Sequence, residues 1–287
     1  VRRIIAVLKA AGIGFSRDAC AFFAQGIAFN AMFAIFPLLM LTFATLAFVY
    51  GDDQGKAHAI ALISQLAPGV QAALVDNVQH IVQFRGISGV IALVALIWSG
   101  KNLFQTLAFA LDRALGIPKG RHPLSDIVIS IITLPAFGLI LIFATAVPLV
   151  VSFVVRFGGL RHAELLSQVA SYGAGILLVF VVTMLLYTFL PNRKVSLRFG
   201  IPGAIVTTVA WELSQIAFAV YSTHVDFRHV YGALATVAVL LLWFYYMGTI
   251  FLFGAQVSAQ WLALETQERE LAAAATPADP NEGRTLA

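Results

Sequence analysis

The chain has 287 residues, 60% of them hydrophobic and 11% charged, with a formal net charge of +4. Soluble domains run about 25% charged, and no stretch outside the apolar runs here is long enough to build one, so the composition points to an all-α, polytopic membrane helical bundle. A single cysteine, Cys20, excludes an internal disulfide and any multi-cysteine zinc or iron–sulfur site.

Residues 1–18 read as a cytoplasmic amphipathic arm. Ile4, Leu8, Ala11 and Phe15 share one helical stripe, with Arg2, Arg3 and Lys9 beside it. The pattern fits a helix lying on the membrane face and, equally, a short helix packed on the bundle. Lys9 interrupts the apolar stretch, so the segment does not read as a signal peptide. Residues 19–262 form the transmembrane domain, with six spans expected at about 19–50, 86–110, 127–155, 169–190, 201–221 and 232–262. Pro37 predicts a kink in the first span, and Pro135 and Pro148 do so in the third. Leu74, Val78, Ile81 and Val82 form a stripe opposite Asn77, His80 and Gln83, which predicts a second interfacial helix on the outer side. The second span is short of apolar residues after Trp98 and continues through Ser99, Lys101, Asn102 and Gln105, so its cytoplasmic half is polar. Residues 263–287 read as a disordered cytoplasmic tail.

Charge sets the expected orientation. Thirteen of the 18 basic residues fall in the amino-terminal arm, the second-to-third and fourth-to-fifth connections with their flanks, and the tail. The positive-inside rule then puts both termini in the cytoplasm, in agreement with an even number of spans.

The fifth span carries one acid, Glu212, about 16 Å from Ile201 at ~1.5 Å per residue. That is near the middle of a hydrocarbon core of ~30 Å, where an acid is costly and marks a candidate site. Gln215 lies one turn on and shares its face. Ranked by depth, Gln25, Asn30, Lys101, Asn102, Gln105, Glu212, Gln215 and Gln256 gather toward the inner half of the bilayer. They are the expected lining of a cytoplasm-facing polar cavity that binds substrate. Glu212 and Lys101 are close enough in depth to pair. Such a pair reads either as a structural ion pair holding the bundle or as a substrate or gating site. Arg113, Lys119, Arg121, Arg193, Lys194 and Arg198 are expected at the same membrane face, where they set topology or bind anionic lipid headgroups. Trp243, Phe244, Tyr245 and Tyr246 lie well inside the sixth span and read as helix packing.

An enzyme is not expected. The six histidines, His58, His80, His122, His162, His224 and His229, fall in loops without HExxH spacing, and the 14 acids are scattered. No phosphate-binding Gly-x₄-Gly-Lys-Ser/Thr loop occurs. No metal, cofactor or nucleic-acid partner is expected; the partners are membrane lipids and a lipid or small-molecule substrate.

Three stretches carry a family resemblance: AQGIAFNAMFAIFPLLM, IWSGKNLFQTLAFALDRALGI, and LPNRKVSLRFGIPGAIVTTVAWELSQIAFAVY running on to YGALATVAVLLLWFYYMGTIFLFGAQVSA. They resemble the YihY family, also called the virulence factor BrkB family, in the family's order and over most of the membrane region. The resemblance implies a six-helix bacterial inner-membrane protein. Members were once labelled ribonuclease BN, a label regarded as a misassignment. Envelope lipid or lipopolysaccharide-precursor transport and export of small solutes have both been suggested for members. The resemblance also implies Glu more often than Gln at position 256; a coupling role for that acid would be lost here or moved elsewhere. The expected function is therefore transport or gating of a lipid, a lipid-linked envelope precursor or another amphipathic molecule. A small-solute exporter or channel and a non-transporting envelope scaffold are the alternatives.

Overall fold

The computed structural model describes residues 2–50, 87–117, 163–192, 196–224 and 235–275. The described residues form six helices and no strands: α1 (Arg2–Arg17), α2 (Cys20–Tyr50), α3 (Ile87–Ala114), α4 (Ala163–Phe189), α5 (Leu197–His224) and α6 (Ala235–Ala275). Four of them contain stretches long and apolar enough to cross a membrane: Cys20–Leu38, Tyr172–Phe189, Leu197–Phe218 and Val237–Leu271. The 28-residue α3 is not among them, because Ser99, Lys101, Asn102 and Gln105 interrupt its apolar first half. The expected third span at 127–155 and the outer interfacial helix lie outside the described residues.

Two helices run past the expected span ends. The second span was expected to end near Ala110, whereas α3 continues to Ala114 and holds Asp112 and Arg113. The helix stops where Gly116 takes φ 64°. There the Gly116 N–H bonds Arg113 O at 3.2 Å and the Ile117 N–H reaches back to Asp112 O at 2.8 Å. This is a glycine C-cap that satisfies carbonyls no further turn can reach. The tail was to be disordered from residue 263, yet α6 runs on to Ala275. The sequence LALETQERELAAAA consists almost entirely of strong helix formers, and Arg269 pairs with Glu265 one turn back at 2.6 Å. At ~1.5 Å per residue α6 is about 60 Å long, roughly twice a hydrocarbon core.

The long helices pack in the spatial order α3, α2, α6, α5, α4, with α1 laid against α6 and touching α2. The turn from α1 into α2 is made at Ala19, whose φ of 53° is left-handed and unusual for a side chain with a Cβ. The start of α2, the ends of α3 and α4 and the middle of α6 meet in one core cluster. It comprises Cys20, Ala24, Ile27, Phe104, Ala110, Leu111, Ala114, Tyr187, Leu190, Leu252 and Ala255. We refer to this as the α1 end.

The backbone approaches closely at this end. A Cβ on Gly203 of α5 would overlap Gly254 O and Ser258 Oγ on α6, and one on Gly254 would overlap Thr207 and Tyr187. Small residues let two helices touch backbone to backbone. The Gly203 N–H donates to Ser258 Oγ at 3.0 Å, one residue after Pro202, so the crossing is bonded as well as packed. In the other half of the molecule Val90, Ile91, Val94 and Trp98 of α3, Leu177 of α4, and Leu213, Ile216 and Val220 of α5 are all exposed.

Candidate functional site

The eight residues expected to line one cavity divide into three groups. The first joins α2 to α3. Asn30 Nδ2 donates to Gly26 O at 2.9 Å and to Thr106 Oγ1 at 3.0 Å. Thr106 Oγ1 in turn donates its O–H to Asn102 O at 2.9 Å. Asn102 thus takes part through its carbonyl. Lys101, Asn102 and Gln105 are half-buried on α3, and Gln25 is exposed on α2.

The second group lies between α4 and α5. Tyr172 OH donates to Glu212 Oε2 at 2.9 Å. Tyr172 is 61% exposed, while Glu212 and the neighbouring Gln215 are half-buried. The expected pairing with Lys101 does not form: the described residues hold no ion pair between them, and the Glu212 carboxylate takes a phenol instead. The reason is lateral placement. α3 packs on α2 and α5 packs on α4 and α6, so equal depth did not mean adjacency.

The third group is at the α1 end. Gln256 is fully buried, against an expectation that it would face a cavity. Its Nε2 donates to Asp18 Oδ2 at 2.8 Å and lies 3.7 Å from Cys20 Sγ. Its Oε1 sits where a Cβ on Gly14 would be, so α1 can seat here only with glycine at that position. Burial alone would raise the Asp18 carboxyl, but the hydrogen bonds from Arg17 and Gln256 and the charge of Arg113 outweigh it and hold it below its ordinary value. A neutral amide at position 256 suits an ionised Asp18, whereas a Glu would set two carboxylates together.

Several bonded side chains were not singled out in the sequence. Tyr187 of α4 is completely buried; its OH donates to Phe251 O on α6 and lies 2.8 Å from Thr207 Oγ1 on α5. A buried tyrosine needs a partner for its hydroxyl, but nothing local in the sequence says which. Asp112, 6% exposed, receives the Asn192 backbone N–H at 2.8 Å and the Asn192 side-chain amide as well. The chain just after α4 is thereby fixed at Asn192 to the end of α3. Trp243 is buried against Trp211, with ring centroids 6.3 Å apart, and against Phe218 at 4.6 Å, so it serves packing as expected, while Tyr246 is exposed.

Of the six basic residues expected at lipid headgroups, Arg113 closes α3 and Arg198 opens α5, both exposed at the α1 end. Lys119, Arg121, Arg193 and Lys194 lie outside the described residues. No group of three His, Cys, Asp or Glu among the described residues could hold a metal ion.

A family model described as virulence factor BrkB matches residues 13–279. The ribonuclease-like protein YfkH of Bacillus subtilis is 26% identical over 243 residues, covering 81% of this chain and 86% of that protein. A UPF0761 membrane protein of Haemophilus influenzae is 26% identical over 241 residues, 82% of this chain and 87% of the relative. A UPF0761 membrane protein of Rhodospirillum rubrum is 26% identical over 245 residues; 83% of this chain matches, but only 54% of that longer relative. No solved structure matches. With its long apolar helices and a match that runs over nearly its whole length, the chain is a membrane protein that belongs to the virulence factor BrkB family.

Proposed function

We propose that this protein is a six-span inner-membrane protein with both termini in the cytoplasm, which moves or gates a lipid, a lipid-linked envelope precursor or another amphipathic molecule. The observation that carries the reading is Glu212. It sits midway along an apolar helix and is half-buried, and among the described residues its partner is a neutral hydroxyl, not a cation. An acid at that depth is expensive, and one with no counter-charge among the described residues is out of keeping with a purely structural ion pair. Its surroundings favour an amphipathic ligand. Tyr172, Leu213 and Ile216 beside it are exposed, so the carboxylate stands at the edge of a lateral, largely apolar face. A molecule with a polar head and an apolar body meets both without leaving the membrane. The exposed Arg113 and Arg198 at the α1 end suit an anionic headgroup on the side that the charge pattern makes cytoplasmic.

Native mass spectrometry of gently extracted wild-type protein beside Glu212→Ala tests the proposal. A defined lipid retained by wild type and lost from a variant of unchanged thermal stability is the expected outcome. Equal retention of bulk lipid by both would move the function to small-solute flux or to a scaffold.

A further inference from the structure

The helices around Glu212 bring it no cation, and the sequence of each shows why. α4 contains no Lys, Arg or His, and α6 has none before Arg269. On α5 the cationic candidates are Arg198 and His224, about 21 and 18 Å along the helix from Glu212 at ~1.5 Å per residue. Lys101 belongs to α3, which packs on α2 and α6. Residues 127–155 contain no Lys, Arg or His. The carboxylate is also short of donors. Its Oε2 accepts the Tyr172 hydroxyl at 2.9 Å, and Oε1 accepts none among the described residues. Tyr172 spends its one proton on that bond, so its oxygen keeps acceptor capacity. Gln215, three residues on, shares the Glu212 face of α5 and adds an amide carbonyl. The walls beside these oxygens are aromatic and aliphatic: half-buried Trp211, its ring 6.3 Å from that of Trp243, and exposed Leu213 and Ile216.

We infer that the ligand supplies the missing cation: the substrate at Glu212 is an amphiphile with a protonated primary amine in its polar head, as in an aminophospholipid. This rests on the reading of Glu212 as a substrate site and names the chemistry of its occupant. Three considerations select the amine. A carboxylate taken out of water needs an opposite charge, and an anionic head there would set like charges together. A primary ammonium presents three donors and no acceptor, which complements a site offering carboxylate, phenol and amide oxygens. Trp and Tyr faces attract a cation, while Leu213 and Ile216 suit the alkyl chains behind it. A bare metal ion fits worse. Calcium takes about six to eight oxygen ligands, and no group of three His, Cys, Asp or Glu occurs among the described residues. The exposed Arg113 and Arg198 at the α1 end suit the phosphate of the same zwitterionic head before it reaches Glu212.

The test titrates the full chain, delipidated in detergent, with lipids of one acyl composition and reads occupancy by native mass spectrometry. At neutral pH phosphatidylethanolamine is expected to bind about tenfold more tightly than phosphatidylcholine or phosphatidylglycerol, the scale of a hydrogen bond to a charged group. Glu212→Gln keeps an acceptor for Tyr172 but removes the charge, and should bring phosphatidylethanolamine down to the level of the other two. Glu212→Asp keeps the charge and should preserve the order. Dissolved ethanolamine separates two sources of the amine: displacement only at large excess makes the ligand a lipid, and displacement at equal concentration makes it a free amine. Equal binding of the three lipids by wild type, each weakened by Glu212→Gln, overturns the amine and leaves the lipid site standing. A preference for phosphatidylethanolamine that survives Glu212→Gln, in a variant of wild-type thermal stability, overturns the inference by placing the amine elsewhere. If wild type binds no lipid more tightly than Glu212→Gln does, the substrate reading of Glu212 falls and this inference falls with it.

Discussion

Tyr187 and Tyr172 lie on the same helix, about 22 Å apart at ~1.5 Å per residue, and both bond to α5. Tyr187 is buried, and its partners are neutral: a threonine hydroxyl and a backbone carbonyl, beside a glycine-on-glycine helix crossing. Tyr172 is exposed, and its partner is an acid. The first arrangement has little to gain by changing: every group around it is satisfied and there is no room. The second leaves a charge with one neutral contact among the described residues, beside an exposed apolar face. Position along one helix pair thus separates a fixed end, which holds the bundle, from an end with polar capacity to spare.

The largest expected effect comes from breaking the fixed end. In an ordinary helix, Gly→Ala stabilises by up to ~1 kcal/mol. Gly203→Ala should do the reverse, lowering stability by about 2 kcal/mol or more, since its Cβ meets backbone that cannot rotate away. Thermal unfolding in detergent reads the sign directly, and a more stable variant would show that the crossing is looser than described. Next, Tyr187→Phe should cost about 1 kcal/mol by removing a buried hydroxyl bonded on two sides. Tyr172→Phe, at an exposed position, should stay within about 0.5 kcal/mol while altering lipid retention. Equal losses for the two would erase the distinction drawn here.

A smaller effect concerns pH. The Asp18 carboxyl is lowered from its ordinary 3.8 in the folded protein, so the unfolded chain takes up its proton first on acidification. The stability it confers is full above 3.8 and falls as pH drops from there through the lower folded value. Asp18→Asn should flatten that acid limb and leave neutral pH as the place where the two proteins differ most. An unchanged acid limb would mean that Gln256 and Arg17 do not hold the carboxylate ionised.

The helices were legible because each long apolar run must satisfy its own backbone, whatever lies beside it. The start of α2 and the amphipathic α1 could be placed to within a residue or two for that reason. The end of α3 was misplaced since Asp112 looks like a loop residue until its partner is known, and that partner, Asn192, is 80 positions away. The polar set suffered the same way. Distance along a helix gives depth, and depth alone put Glu212 next to Lys101, Gln256 in a cavity and Asn30 with both. Which helix neighbours which is decided by where small residues permit approach: Gly203 on Gly254, Gly14 on Gln256, Gly26 on Thr106.

By itself, then, the sequence determined that this is a helical chain too apolar for water, with an acid midway along one apolar helix, since hydropathy and charge act residue by residue. Only the tertiary structure decided that Glu212 answers to Tyr172 and that Gln256 is a buried fastening for α1. Each of these depends on which surfaces meet, and contact between distant segments is a property of packing that no local pattern contains.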